Sequence, residues 1–221
     1  LIVAIDGPAG SGKSTVSECA AKKTGFLYLN SGNFYRAITH ALIENGFDEL
    51  KSVDPRGKDI DRIIEIANGC EIEVRNGKLY LNGMDVEDKL HSDRIDRLVA
   101  LYSSIPAIRN IVNSKLRKVV SGMDAIIEGR DIGTVVFPNA ELKIFIYASL
   151  DTRARRRYLQ GTSDLTLEEI KASIERRDTI DKNKRYGRLE KAKDAIIIDT
   201  SDLTIEQVCE KVVGEILKKK A

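Results

Sequence analysis

Tryptophan is absent from this chain, and aromatic residues make up only 5% of its 221 residues. Too few rings remain to build a stacking platform for single-stranded nucleic acid. Cysteine is scarce: Cys19, Cys70 and Cys209 are far apart and form no C-x-x-C pair. An odd count argues against a disulfide framework. The three read as reduced, mostly packed thiols of a cytoplasmic protein. An excess of one charge is missing too. The 36 Lys and Arg nearly cancel the 34 Asp and Glu, to +2, which speaks against bulk attraction to nucleic acid. No apolar run approaches the roughly 18 residues of a membrane span. The opening "LIVAIDG" has neither the basic flank nor the length of a signal peptide, and reads as a core strand. These absences leave a globular chain, 42% apolar and so able to build a core, of one domain with a lobe or two small domains.

Along the chain, short apolar runs alternate with helical periodicity. "LIVAID" (1–6), "FLYL" (26–29), "AIIE" (125–128), "ELKIFIYA" (141–148) and "AIIIDT" (195–200) read as strands. Helices are expected from about Lys13 to Lys23 and over 31–46, 60–67, 93–104, 106–120, 152–160, 166–182 and 204–219. Ser31 is a plausible N-cap and Gly46 a plausible C-cap of the second helix. Thr166 with Glu169 three residues on suggests a capping box. The polar stretch 47–59 reads as a loop. "CEIEVRNGKLYLNG" (70–83) departs from this pattern. It alternates on both sides of Asn76-Gly77, the signature of a type I′ hairpin, and so reads as an antiparallel insert. Buried strands alternating with helices imply a parallel sheet covered on both faces, the α/β class.

"GPAGSGKST" (7–15) fits G-x-x-x-x-G-K-[ST] and sits between a strand and a helix, the context that gives the motif meaning. Its residues Gly7, Pro8, Ala9, Gly10, Ser11, Gly12, Lys13, Ser14 and Thr15 are the expected ATP-phosphate cradle. Backbone N–H groups wrap the phosphates at a helix N-terminus. Lys13 would reach the β- and γ-phosphates and Ser14 would ligate Mg²⁺. Asp6, just before the loop, is either structural or close to the metal. The motif establishes a nucleotide binder and leaves the acceptor open.

Arginines recur where they should face that loop. Arg36 follows the second strand and Arg130 ends "AIIEGR". Arg153, Arg156 and Arg157 recur at i, i+3, i+4, and Arg176, Arg177 and Arg185 follow. Ligands of open α/β sheets bind beyond the carboxyl ends of the strands. Such a cluster suits an acceptor that is itself an anion, because two phosphates repel and Arg offers a permanent planar charge. A phosphate monoester is largely a dianion at neutral pH, so it needs no general base; no His lies near the loop in sequence. Gly129 and Gly133 would let the backbone turn around Arg130 and Asp131.

Taken together, "IDGPAGSGKST", "SGNFYRA", "LNGMDV", "IPAIR", "EGRDIGTVVFP", "RRDTIDKNKR" and "AIIIDTS" resemble the bacterial-type cytidylate kinases, a family of P-loop nucleoside monophosphate kinases. The resemblance covers nearly the whole chain. It implies a P-loop NTPase-type five-stranded parallel sheet in a CORE over 1–58 and 93–221. It also implies a small antiparallel NMP-binding insert over 59–92 and a helical LID over 153–167. It implies ATP with Mg²⁺ as donor, CMP and dCMP as acceptors, a monomer, and neither nucleic acid nor membrane as partner. Closure of insert and LID would exclude water during transfer. Ser31, Arg36 and Arg130 would bind the acceptor on its phosphate side, and Arg109 and Asp131 would meet cytosine. Arg177 and Asp181 would serve its phosphate and sugar. Arg153, Arg156 and Arg157 would close over ATP and the transferring group, with Lys13, Arg130, Arg153 and Arg157 catalytic. The chain departs from the family pattern at Asn30 (usually Asp), Ala100 (commonly Ser), His91 (usually Arg), Lys182 (Ser) and Lys184 (Arg). Acceptors such as UMP or shikimate, and a non-catalytic nucleotide switch, are the alternatives; no N-K-x-D string of a GTPase is present.

Overall fold

Strands rich in Ile and Val, each stopped by a polar residue or glycine, build the sheet. A computed structural model describes residues 1–48, 59–161 and 165–220. In chain order the elements are β1 (Ile2–Asp6), α1 (Lys13–Thr24), β2 (Leu27–Asn30), α2 (Ser31–Glu44), α3 (Ile60–Gly69), β3 (Ile72–Arg75), β4 (Lys78–Leu81), β5 (Met84–Asp85), α4 (Asp93–Tyr102), α5 (Pro106–Val119), β6 (Ala125–Gly129), β7 (Leu142–Tyr147), α6 (Leu150–Leu159), α7 (Leu167–Asn183), β8 (Ile196–Asp199) and α8 (Ile205–Lys220). Most of the expected loop 47–59, and residues 162–164 of the expected LID, lie outside the described residues. Contacts divide the chain into Leu1–Leu29 with Gly122–Ala221, and Asn30–Ser121.

The first unit is organised by the five-stranded sheet, in the order β2-β6-β1-β7-β8. β1 pairs in parallel with β6, running from Ile2 opposite Ala125 to Asp6 opposite Gly129. It pairs in parallel with β7 on its other side, Asp6 opposite Phe145, and β7 pairs likewise with β8. Both loops that matter here, 7–15 and 130–136, therefore leave neighbouring strands at the same level. Val3, Ile5, Ile126, Ile144 and Ile146 pack against Val16 and Ala20 of α1 and Val208, Val212 and Ile216 of α8. Each such aliphatic side chain contributes about 1.5–3 kcal/mol when buried. α6 and α7 pack on each other through Ala154, Ile170 and Ile174, and the Thr166–Glu169 capping box is formed.

The cysteine expectation is corrected. Cys19 of α1 and Cys209 of α8 are joined in a disulfide across 190 residues of sequence, Cα to Cα 6.0 Å. Packing of the first helix against the last creates the pair, and linear spacing could not show it. Cys70 is the free, buried cysteine. The reading of Cys19 and Cys209 as reduced thiols falls with that pairing.

The second unit holds α2, α3, α4, α5 and the antiparallel sheet β3-β4-β5. Asn76 and Gly77 adopt positive φ (52° and 75°), as the type I′ reading requires. Asn82 and Gly83 repeat the device and add β5. Two cap assignments shift by one residue. Asn30, not Ser31, caps α2, its side chain accepting from the Gly32 N–H at 2.8 Å. Asn45, not Gly46, is the C-cap, and Gly46 follows at φ 89°.

Candidate active site

The phosphate loop is shaped by what holds its carbonyls. Lys13 Nζ donates to Pro8 O at 2.7 Å, and Ser11 Oγ donates to the same oxygen at 3.0 Å. Arg153 Nη1 donates to Ala9 O at 3.1 Å, and Thr200 Oγ1 donates to Ser11 O at 3.3 Å. A trans peptide points its N–H opposite its C=O. Drawing these three carbonyls toward side-chain donors turns the N–H groups of Ala9, Gly10 and Gly12 the other way. Gly7 is required by space, since a Cβ there would lie 2.1 Å from Ile146 O. Gly12 stands before α1 at φ 90°, a conformation that favours glycine. A cavity of about 560 Å³ borders Gly12, Ser14 and Thr15 of the loop and reaches Arg156, Thr200 and Ile205.

Lys13 is buried, 5% exposed. Burial first, and then the Arg130 guanidinium, lower its ammonium to about 7, against the pull of Glu128 and Asp6. Asp6 is 4% exposed. It accepts the N–H of Ile132 on one oxygen and of Gly133 on the other, both at 2.8 Å. Burial pushes its carboxyl up to about 6, with Asp131 adding to the rise and the two amide bonds opposing it. Of the two readings for Asp6, the structural one describes its contacts. It anchors the segment after Asp131. That segment is a five-residue π-helical turn, Ile132–Val136, in which Val136 N donates to Asp131 O and Phe137 N to Ile132 O. The chain bends directly after Gly129, and neither Gly129 nor Gly133 uses a positive φ. Gly133 instead permits close approach: a Cβ would lie 3.2 Å from Lys143 Cδ and 3.4 Å from Asp6 Oδ2.

Arg130 leaves β6 beside Gly7 and is oriented by Asp181, Nε to Oδ2 3.1 Å. Asp181 also accepts from Lys184 at 2.7 Å. Burial resists its ionisation, but Lys184 and Arg130 hold its carboxyl below the usual range. Asp131 is 5% exposed, and Arg177 lies close enough to Lys13 to depress its ammonium. The three arginines of α6 expected over ATP, Arg153, Arg156 and Arg157, separate in role. Arg153 is buried, with Nε on Ala148 O at 3.0 Å and Nη2 on Asp178 at 2.7 Å, so its fork is fully engaged and ties the loop to the end of β7 and to α7. Arg156 donates to Thr200 Oγ1 at 3.0 Å and borders the cavity. Arg157 is exposed.

In the second unit, Arg36 Nη1 donates to Leu90 O at 2.9 Å and pairs with Asp96 at 2.6 Å. Arg109 is 8% exposed, lies over the Tyr35 ring at 5.3 Å and donates to Ser103 O at 3.3 Å. Ser31 is buried at the start of α2.

A match to the family described as cytidylate kinase spans residues 3–218. The chain belongs to the cytidylate kinase family. It is 44% identical to the cytidylate kinase of Borrelia hermsii, over all of this chain and all of that one. It is 43% identical to that of Fusobacterium nucleatum, over all of this chain and 99% of the other. Among solved structures, a shikimate kinase from Bacteroides thetaiotaomicron shares the fold at 14% identity, with TM-score 0.53 over 99% of this chain and 98% of that one. As a cytidylate kinase the chain is a nucleotide-binding phosphotransferase, with phosphorylation of CMP and dCMP as its activity. Among the described residues no helix is long and apolar enough to cross a membrane.

Several groups of this cytidylate kinase site lie in quoted motifs without being singled out by them. Glu128 is 3% exposed and accepts from the Tyr28 hydroxyl at 2.6 Å. Its charge inside an apolar strand was the available signal. Thr200, just after β8, donates to Ser11 O, and Asp178, inside α7, holds Arg153; both lie in quoted motifs, but these long-range contacts are not written there.

Proposed function

We propose that the chain transfers the γ-phosphoryl group of ATP in line to the phosphate of CMP or dCMP, giving CDP or dCDP and ADP. The observation that carries this reading is the register of β1 and β6. It sets Arg130 and Asp131 beside the phosphate loop at the carboxyl edge of the sheet. Arg130 would neutralise the acceptor phosphate and Asp131 would accept from the exocyclic amine of cytosine. Two unit anions 4 Å apart repel by about 4 kcal/mol at an effective dielectric of 20. Charge-assisted hydrogen bonds of about 1.5–3 kcal/mol each are enough to offset that. Arg177 and Asp181 are proposed for the acceptor as well, Asp181 chiefly by orienting Arg130. Ser31, Arg36 and Arg109 are proposed from their motif positions, with 59–92 as the NMP-binding insert. Arg156 and residues 7–15 are proposed for ATP, and Arg153 and Arg157 for a LID over 153–167.

Among the described residues no cluster of three His, Cys, Asp or Glu could hold a metal ion. That suits Mg²⁺, which keeps waters and arrives with nucleotide phosphates on one or two protein ligands. The exposed Ser14 hydroxyl at the head of α1 fits that role. When bound, Mg²⁺ would supply charge neutralisation across the β- and γ-phosphates. Lys13 would add a positive charge at the same phosphates, and the loop's N–H groups would orient them.

A coupled assay across CMP, dCMP, UMP, AMP and shikimate tests the reading. CMP and dCMP should lead by kcat/KM, and CMP performing no better than AMP sinks the cytosine assignment. Asp131→Ala should erode discrimination among bases, whereas Arg130→Ala should depress turnover with every acceptor.

A further inference from the structure

Lys143 has no part in the reaction as described, yet it is a charged side chain buried in the sheet. It belongs to β7, between β1 and β8, and is 9% exposed. Its partner across the ladder is Ala4, two residues before Asp6, so Lys143 and Asp6 leave the same face of the sheet. They grip the segment after Asp131 at both ends. Asp6 takes the N–H groups of Ile132 and Gly133 at its start. Lys143 Nζ donates to Pro138 O at 2.6 Å, at its end. Gly133 lies against both side chains: a Cβ there would come within 3.3 Å of Lys143 Cγ and 3.4 Å of Asp6 Oδ2. Between these anchors the turn closes back on Asp131, whose carbonyl accepts from Val135 N at 2.9 Å and Val136 N at 3.1 Å.

The fold alone does not call for a lysine at this position. Both of its partners are within reach of water. Pro138 is exposed, and Asp194, which pairs with Lys143 Nζ at 2.9 Å, has a side chain 65% exposed. A buried charge whose partners can be satisfied without it is often exchanged for an apolar side chain at no loss of stability. What an apolar residue could not supply is direction. Lys143 fixes where the Pro138 carbonyl lies, and so the far end of the turn that closes on Asp131. We propose that Lys143 is a positioning residue for recognition of the acceptor base, acting through Asp131, which rests on the reading of Asp131 as acceptor of the cytosine amine. The Asp131 carbonyl is bound by the last two residues of the turn, so a turn whose end drifts takes the Asp131 backbone with it. The phosphate loop is held by other groups, Ser11, Lys13, Arg153 and Thr200, and the donor side should not follow.

The test reads the ratio of kcat/KM for CMP to that for UMP, whose ring carries a carbonyl where cytosine has its amine. It compares the wild type with Lys143→Met, which keeps the stem but has no donor, and with Lys143→Gln, whose amide stops one bond short of Pro138 O. Asp131→Ala is the reference for complete loss. Misdirecting Asp131 weakens one hydrogen bond to the acceptor, so the ratio should fall about two- to tenfold in both Lys143 variants. The fall should come through KM for CMP, while ADP affinity by calorimetry and the urea midpoint do not drop. In an Asp131→Ala background, Lys143→Met should lower the ratio no further. A full ratio in both Lys143 variants, with the ratio lost in Asp131→Ala, overturns the proposal and leaves the Asp131 reading standing. A full ratio in Asp131→Ala removes that reading and the proposal with it. Equal losses with CMP and UMP, accompanied by weaker ADP binding or a lower urea midpoint, assign Lys143 to the fold alone and also overturn it.

Discussion

Nucleotide binding by this protein should be accompanied by proton uptake, and Lys13 is the group responsible. In the free protein its ammonium is buried among Arg130 and Arg177 on one side and Glu128 and Asp6 on the other, and its ordinary value falls to about 7. At pH 8 about nine-tenths of the molecules then carry a neutral Lys13, and at pH 7 about half. Polyphosphate in the loop supplies the opposite charge that burial denies, so binding restores the proton. The expected uptake is about 0.9 proton per nucleotide at pH 8. Each pH unit above 7 should weaken affinity about tenfold, or about 1.4 kcal/mol, until the bound-state value is reached. Calorimetry at pH 8 in two buffers of different ionisation enthalpy measures the count directly. At that pH the terminal phosphate of free ATP, with its second pKa near 6, no longer contributes. Lys13→Arg, charged throughout, serves as the blank. Identical apparent enthalpies in both buffers for the wild type would mean that Lys13 is already charged in the free protein, and the account of its burial would fail.

Asp6→Asn places an amide N–H against one of two backbone donors and should cost about 1–3 kcal/mol, read by urea unfolding. Because the folded value of Asp6 is raised from 3.8 to about 6, the wild type holds an extra proton between those values. Its stability relative to Asp6→Asn should be greatest below about pH 3.8 and should decline by about 3 kcal/mol as pH rises from there through 6; a difference flat with pH contradicts the assignment. Reducing the Cys19–Cys209 bond, or Cys19→Ser, should lower the unfolding free energy by about 2–5 kcal/mol, and an unchanged urea midpoint in reductant refutes a stabilising link. Asp181→Asn should raise KM for CMP and dCMP by the same factor, since both its oxygens are engaged by Arg130 and Lys184. A selective loss with CMP would instead mark a direct ribose contact.

The legible parts of the fold were those written in local periodicity. The phosphate loop, the Asn76-Gly77 hairpin and the Thr166–Glu169 box each depend on residues within one turn or strand of each other, and each is present. Asp6 shows what lay out of reach. Its carboxylate faces Ile132 and Gly133 only because β1 and β6 pair with Asp6 opposite Gly129, and register is a property of two strands. Periodicity assigns no element to the apolar run after Asp131. It closes into a π-helical turn because Asp6 takes the N–H groups that a ladder would have used. The disulfide, Arg153 on Ala9 and Tyr28 on Glu128 follow the same rule: each joins segments that the topology brings together from more than 90 residues apart.

Placing Lys13, Asp6 and Glu128 under one loop sets the site against the fold that carries it. A buried ion is often replaced by an apolar side chain at no loss, or with a gain of about 1–4 kcal/mol, provided that its neighbours keep partners. Here they do. Asp6 retains two amide donors and Glu128 retains Tyr28. Pro8 O, which accepts from Lys13, still accepts from Ser11. Lys13→Met should therefore abolish turnover yet yield a more stable protein at pH 6, by about 1–4 kcal/mol in urea unfolding. The sign with pH follows from linkage. The folded value of Lys13 lies below its unfolded 10.5, so the wild type gains stability as pH rises from about 7 towards 10.5, and the advantage of Lys13→Met should shrink across that window. A Lys13→Met protein that is less stable than the wild type at pH 6, or whose advantage grows with pH, would show that the loop lysine supports the fold as well as the phosphate.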